Sequence, residues 1–312
     1  MAWPLIRNLP REFHFDFVRL APFAAVLSAI LIIASGASFA LKGLNMSIDF
    51  VGGTVIEVQT KAPVDTAVLR QAIAAGGGED SQVQTLGTSN GYLLRFRAPK
   101  DADVVKSTAV VKQKLTDTLP GVQFKRVESV GARVSGELIQ KGFLALGLAL
   151  VLMLAYIWFR FQLQFGLGAV AAVFHDVLLT LGMLSVTHLE FSMTSIAALL
   201  TVIGYSMNEK VITFDRLREN LRKYKTTPLR EVINRSENER LSRTLITGTT
   251  AILALAGAFF QGGVLFPLVA TMVFGIFVGT YSSIYVALPI ILLWGVKRND
   301  EDAVPMKPAS AR

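Results

Sequence analysis

The stretch Gly204-Tyr205-Ser206-Met207-Asn208-Glu209-Lys210-Val211-Ile212-Thr213-Phe214-Asp215-Arg216 continues an apolar run in which Ser195 to Ile203 is almost wholly Ala, Leu, Ile and Val. It sets Asn208, Glu209 and Lys210 where a membrane helix is still in hydrocarbon. A charge at the bilayer centre costs at least about 2.5–3.5 kcal/mol even on lenient insertion scales. Residues of this kind face a bundle interior or a water-filled path, and they mark ion or proton routes.

The composition agrees with a membrane setting for that run. Of 312 residues, 52% are hydrophobic and 17% charged, a balance that leaves a water-soluble chain with too much apolar surface. The net charge of +8 does not point to nucleic acid, because the basic residues crowd the ends of apolar segments. With no cysteine, disulfides, thiolate metal sites and a Cys nucleophile are excluded. His14, His175 and His188 are too scattered to build a metal site.

Six apolar segments reach the roughly 20 residues that a span needs: 20–41, 140–159, 166–186, 192–214, 243–260 and 265–295. Pro267 and Pro289 are positioned to break or kink the last. Arg7, Arg11 and Arg19 precede the first segment and Ser38-Phe39-Ala40 resembles a cleavage site. The apolar run nevertheless exceeds the 7–15 residues of a signal-peptide core, so an uncleaved anchor is expected.

Short loops set the orientation. Arg160 lies between the second and third segments. Arg216, Arg218, Arg222, Lys223, Lys225, Arg230, Arg235 and Arg240 lie between the fourth and fifth, and Lys297 and Arg298 follow the sixth. The opposite loops, Thr187 to Glu190 and Gln261 to Val264, hold no Lys or Arg. Positive-inside bias then makes 1–19 a cytoplasmic N-terminus, 20–41 the first transmembrane helix, 42–137 an extracytoplasmic domain, 138–295 transmembrane helices two to six, and 296–312 a cytoplasmic tail.

Region 42–137 has the chemistry of a small α+β domain. Ser47 to Thr60 reads as a strand interrupted by Gly52-Gly53, and Val64 to Ala75 as a helix ending at Gly76-Gly77-Gly78. Gln82–Leu86 and Tyr92–Arg97 flank the hairpin signal Ser89-Asn90-Gly91. Asp101 to Leu119 reads as a second helix stopped by Pro120-Gly121, and Val122 to Val130 as a final strand. This β-α-β-β-α-β order is the ferredoxin-like pattern. The expected fold is thus a polytopic α-helical membrane protein of six transmembrane helices, with a ferredoxin-like domain between the first and second.

Asp49-Phe50-Val51-Gly52-Gly53-Thr54 reads as a bulge or hinge rather than a phosphate cradle, since no Lys or helix start follows at P-loop spacing. Val130 through Leu138, with Gly131 and Gly136, is either a tight connection that carries domain motion or a plain linker. His175-Asp176 lies inside the third segment, where a proton relay and a structural hydrogen-bonded pair are both open. Lys210 is long enough to snorkel outward, whereas Glu209 is not. The nearest cation for Glu209 outside its own helix is Arg243, in Ser242-Arg243-Thr244-Leu245-Ile246-Thr247-Gly248-Thr249-Thr250. A switchable carboxyl and a static buried ion pair are both compatible with that pairing. Gly275 and Gly279, near Thr280, Ser282 and Ser283, form a face for close helix packing.

Taken in order, Ile48 through Thr54, Val130-Gly131 through Leu138, Phe174-His175-Asp176, Gly204-Tyr205-Ser206 through Asn220, and Leu241-Ser242-Arg243-Thr244 resemble the motifs of the SecF family, the smaller membrane subunits of the SecDF protein-export factor in the RND superfamily. The resemblance runs from about residue 45 to about residue 290. It implies a multi-pass, non-enzymatic subunit of the bacterial inner membrane, both termini cytoplasmic, that uses the proton motive force to promote polypeptide export. The partners it implies are SecD, the SecYEG channel, YajC, the translocating polypeptide and membrane lipid, with no nucleic acid, no cofactor and no metal. The family's intramembrane acid and the arginine of its Ser-Arg-Thr motif map to Glu209 and Arg243, and Asn208, Lys210, His175 and Asp176 join them as the implied proton pathway. Asp49, Gly52, Gly53, Gly131 and Gly136 are the implied motif and hinge positions. Two departures stand out: Glu209-Lys210 where the family has Asp and a small residue, and Ala132 where it has proline.

Competing functions are an RND-type transporter of lipid or small molecules, a passive membrane scaffold, and an intramembrane enzyme. The first requires a substrate cavity outside the membrane, the second tolerates neutralising Glu209 and Arg243 together, and the third has no nucleophile–base pair in the sequence. A carboxylate serves H+ and Na+ alike, which leaves both coupling ions open.

Overall fold

The computed structural model describes residues 13–86, 90–99, 102–161, 163–261 and 265–295. Arg7, Arg11, Ser89, Asp101, Lys297, Arg298 and loop residues 262–264 lie outside them. In chain order the elements are α1 (Phe17–Lys42), β1 (Asn45–Met46), α2 (Ile48–Val51), β2 (Gly53–Gln59), α3 (Thr66–Ala75), β3 (Glu79–Leu86), β4 (Gly91–Arg97), α4 (Val104–Thr118) and β5 (Gln123–Val130). There follow α5 (Ala132–Arg160), α6 (Leu163–Thr187), β6 (Glu190–Phe191), α7 (Met193–Lys223), α8 (Leu229–Gln261), α9 (Phe266–Ser282), a π-helical turn (Ser283–Ala287) and α10 (Leu288–Trp294). The chain forms two units, one of residues 46–145 with 190–193, the other of residues 1–45, 146–189 and 194–312.

The smaller unit is built on an antiparallel sheet of order β3-β4-β2-β5. Side chains alternate across a strand, so Ile56 and Val58 of β2 and Tyr92, Leu94 and Phe96 of β4 share one face. There they pack with Leu69 and Ile73 of α3 and Val111 and Leu115 of α4. Asp65 and Asp103 cap the two helices through the Ala67 and Val105 N–H groups. On the opposite face, Glu128 grips Arg126 and holds its guanidinium above the usual arginine value.

One expectation needs correcting here. Ser47 to Thr60 is not a single interrupted strand: the Ser47 hydroxyl accepts the Asp49 N–H and starts the short helix α2 before β2 begins. The glycines make the turn from one to the other. Gly52 has φ 70° and Gly53 φ 116°, and a Cβ on Gly53 would stand 2.8 Å from the Phe96 carbonyl oxygen. Gly131 sits at the junction of β5 and α5, whereas Gly136 lies within α5, which starts at Ala132.

In the larger unit, the helices outrun the apolar segments. The stretch 192–214 becomes α7, ending at Lys223, and 243–260 becomes α8, starting at Leu229. Five helical stretches among the described residues are long and apolar enough to cross a membrane: α1, α5, α6, α8 and α9 through α10. The stretch containing Glu209 is not one of the five, because Asn208, Glu209 and Lys210 interrupt the apolar run of α7. Helix α6 and the α9–α10 stretch have about half of their most apolar portions buried, while α1, α5 and α8 turn most of theirs outward.

Phe161, Phe165 and Phe214 meet edge-on or tilted in a core that also holds Leu217, Val232, Ile233, Leu288 and Ile291. The start of α1 is fixed by α8: Asn238 exchanges hydrogen bonds with both backbone groups of Phe15, and Asn234 bonds the Val18 N–H and the Asp16 carboxylate. Asn234, with the Arg19 N–H, holds the Asp16 carboxyl below the ordinary aspartate value.

The π-helical turn has a sequence cause. Pro289 has no N–H to donate to the carbonyl four residues back, and the ladder widens just ahead of it. The turn places Ser283, immediately after Ser282, toward the polar interior described next. Single π turns inside α-helices recur at functional sites.

Candidate functional site: two buried charge clusters in the helix bundle

Asp176, Glu209, Lys210, Glu237 and Arg240 are all buried in the helical unit. The i, i+3/i+4 geometry of helices accounts for the grouping. On α7, Ser206 and Lys210 share a face; on α8, Ser236, Glu237, Arg240, Thr244 and Gly248 do. The groups separate into two clusters fed by neighbouring residues of α7.

Lys210 anchors the first. Its ammonium lies 2.9 Å from Asp176 Oδ2 and 3.0 Å from Ser282 Oγ, and it also donates to Ser206 Oγ. Both hydroxyls donate hydrogen bonds to Asp176 Oδ2, Ser282 at 2.7 Å. All three ammonium protons and one carboxylate oxygen are therefore used. The reading of Lys210 as a snorkelling side chain is corrected: it is fully buried and points at Asp176. Pairing explains the inversion, since an unpaired buried charge costs several kcal/mol while a hydrogen-bonded pair recovers much of that.

A hydrogen-bonded line leads away from the same aspartate. His175 Nδ1 is 3.0 Å from Asp176 Oδ1, Nε2 is 3.1 Å from Ser28 Oγ, Ser28 Oγ is 2.9 Å from Tyr281 Oη, and Tyr281 donates to the Ala24 carbonyl at 2.7 Å. Neutral His175, Ser28 and Tyr281 bring three protons to these four bonds. A second ring proton on His175 completes the line.

The second cluster joins Glu209 to α8. Arg240 Nη1 reaches Glu209 Oε2 at 3.3 Å, and Thr244 donates to the same oxygen at 3.0 Å. Arg240 also binds both oxygens of Glu237, at 2.8 and 2.9 Å from Nε, and donates to Ser283 Oγ at 2.9 Å. Glu209 Oε1 is buried and has no partner among the described residues. Three buried carboxylates, of Asp176, Glu209 and Glu237, thus face two buried cations, Lys210 and Arg240.

The partner of Glu209 is therefore Arg240, not Arg243. Arg243 is exposed on α8 and makes no hydrogen bond or ion pair among the described residues. Asn208 is likewise exposed on α7. Arg240 and Glu237 are not legible as site residues from the apolar runs of the sequence, because α8 begins at Leu229, well before the apolar run that opens at 243. The signal was present in the recurrence of Ser236, Glu237, Arg240, Thr244 and Gly248 at helical spacing.

Close approach of α7 and α9 holds the first cluster together. A Cβ on Gly279 would lie 3.0 Å from Ser206 Cβ and 3.1 Å from its Cα. Gly279→Leu is expected to force these helices apart and separate Ser282 from Lys210. Overpacking of this kind costs about 1–3 kcal/mol, visible as a lower unfolding temperature in detergent, and an unchanged midpoint would contradict the packing described.

Comparisons with known proteins converge. Residues 110–297 match the family described as Protein export membrane protein SecD/SecF, C-terminal, and residues 37–64 match the SecD/SecF GG Motif. The chain is similar to proteins named Protein translocase subunit SecF. Identity is 41% with that of Cereibacter sphaeroides, covering 94% of this chain and 93% of the relative, and 45% with that of Magnetococcus marinus, covering 90% and 92%. Among solved structures it resembles SecDF, a translocon-associated membrane protein from Thermus thermophilus, with a TM-score of 0.82 and 32% identity over 94% of this chain. It spans 40% of that longer SecDF chain. A SecDF structure in a super-membrane-facing form matches with a TM-score of 0.65 and 31% identity, over 91% of this chain and 39% of the other.

Proposed function

From the premise that this chain belongs to the SecF family of protein-translocase subunits, we propose that it is an accessory subunit of bacterial protein export in which one proton, held in the buried charge clusters, drives the helix bundle between two states. It is a multi-pass protein of the bacterial inner membrane and SecD is its partner. The SecYEG channel, YajC, the exported polypeptide and membrane lipid complete the assembly proposed for it.

The carrying observation is the charge count. Among the described residues two buried cations face three buried carboxylates, and burying an uncompensated charge is costly, so one added proton makes the set neutral. Glu209 Oε1 is one seat, being buried without a partner among the described residues. His175 Nε2 is the second, one proton short in its hydrogen-bonded line. An imidazole nitrogen of this kind favours H+ over Na+ as the coupling ion. With Glu209 protonated, Arg240 keeps Glu237 and loses its ionic hold on α7. Ser283, the first residue of the π turn, and Ser282, the last of α9, carry that change to the Asp176–Lys210 cluster. One charge crossing about 100 mV is worth about 2.3 kcal/mol, enough to bias two states a few kcal/mol apart.

The strand order β3-β4-β2-β5 supports a ferredoxin-like domain, and the helical run of α7 before Glu209 supports counting it as the sixth span. Basic residues on the connected ends of α7 and α8 support placing both termini in the cytoplasm and the domain in the periplasm. Asn208 on α7 and Arg243 on α8, both polar and exposed, support SecD packing against these helices.

The test is translocation into vesicles carrying the channel and SecD, with and without an imposed pH gradient. Addition of this chain is expected to make export respond to the gradient. A response of equal size without the chain would overturn the proposal.

A further inference from the structure

The segment before α7 belongs to the smaller unit, together with the first residue of the helix that carries Glu209 and Lys210. Four contacts, from Arg95, Ser47, Asp49 and Phe50, hold it there. Arg95 Nη2 lies 2.8 Å from Glu190 Oε1, and Arg95 Nη1 reaches the Met46 carbonyl at 3.4 Å. The Ser47 N–H donates to the Phe191 carbonyl at 2.9 Å. Asp49 Oδ2 accepts the N–H of Met193 at 2.9 Å, which satisfies an orphan donor at the start of α7 and sets a negative charge at its positive end. Phe50 stacks on Phe191, and both rings are buried.

Arg95 suits this position. It lies on the central strand β4, opposite Val55 on one side and Gln82 on the other. Its neighbours Leu94 and Phe96 face the domain core, so by strand alternation Arg95 stands on the other face. Helix α7 then runs unbroken from Met193 to Lys223. Glu209 is about 24 Å along it at 1.5 Å per residue.

We propose that Arg95, Glu190 and Asp49 form a fixed joint that fastens the sheet of the inter-span domain to the leading end of α7, so that displacement of α7 at Glu209 is delivered to the domain. The three are positioning residues: none touches the proton seats. The inference rests on the proton-driven reading above and adds the place where its motion leaves the membrane helices.

The test uses the full chain with SecD and the channel in vesicles, following proton uptake and export in parallel. Arg95→Ala and Asp49→Ala are each expected to lower gradient-dependent export about tenfold, within the 5–150-fold span of typical coupling energies, while proton uptake stays. Asp49→Asn keeps an oxygen for the Met193 N–H and retains export. The chain has no cysteine, so Arg95→Cys with Glu190→Cys can be bridged cleanly by a bifunctional thiol reagent. Bridging is expected to restore export. Loss of uptake and export together, or of neither, overturns the joint, as does arrest of export by the bridge, which would mean a latch that must open. Glu209→Gln in the same vesicles reports the proton reading by itself, so the two failures are told apart.

Discussion

Replacement of Glu209 by glutamine is expected to bring gradient-stimulated export down to the level seen without a gradient, with the protein still folded and at normal abundance. Glutamine has almost the shape of glutamate, and its carbonyl oxygen can accept from Arg240 and Thr244 as Oε2 does. What disappears is the exchangeable proton and the charge that answers to it. The buried set then holds two carboxylates against two cations in every state, with nothing left for a proton to neutralise there. Glu237 makes the informative control. Both its oxygens are bound by Arg240 of the same helix, so Glu237→Gln leaves the Glu209 proton seat in place but removes the excess negative charge that favours filling it, and the gradient response is expected to be reduced rather than abolished. The effect at Glu209 is set by the driving force it intercepts, about 2.3 kcal/mol per charge per 100 mV, or several tens-fold in a two-state equilibrium. Full stimulation by Glu209→Gln at normal protein level would sink the proton switch.

The second large effect is on stability. Lys210→Met is expected to destabilise the bundle by about 3–5 kcal/mol, the usual result of removing one partner of a buried ion pair. Asp176, Ser206 and Ser282 would then face each other with no cation and too few donors. The compensating variant is Lys210→Met with Asp176→Asn, which removes both charges and leaves a side chain able to hydrogen-bond the serines. Its unfolding temperature in detergent is expected to recover most of the loss, because replacing a buried pair by neutral groups of similar size is often close to neutral. Equal destabilisation by single and double variants would show that Lys210 acts by packing and not by pairing with Asp176.

These expectations also mark what could be read from the residues in order. Periodicity and composition exposed the apolar helices, and turn chemistry exposed the βαββαβ succession between the first two. The buried acid was visible because Glu209 interrupts an apolar run. Ser47 was different: its capping hydroxyl made a helix where the β-branched residues nearby suggested a strand, a local competition settled by one hydrogen bond. Helices α5 and α8 begin at Ala132 and Leu229, well before their apolar runs, since amphipathic extensions beyond the apolar core carry the polar residues that ordinarily end a span.

The sequence by itself determined that Glu209 and Lys210 interrupt an apolar run and that the chain resembles an export family, because these depend on residue types and their order. Only the tertiary structure decided the partners. Arg240 and Arg243 stand three residues apart, roughly 300° around a helix, and a rotation of α8 exchanges which one meets Glu209. Lys210 turns inward because Asp176 and Ser282 arrive from two other helices at one point, beside Ser206 of its own helix. The rotational phase and axial register of helices are set by packing across the bundle, as at Gly279 against Ser206, and no short stretch of one helix records them.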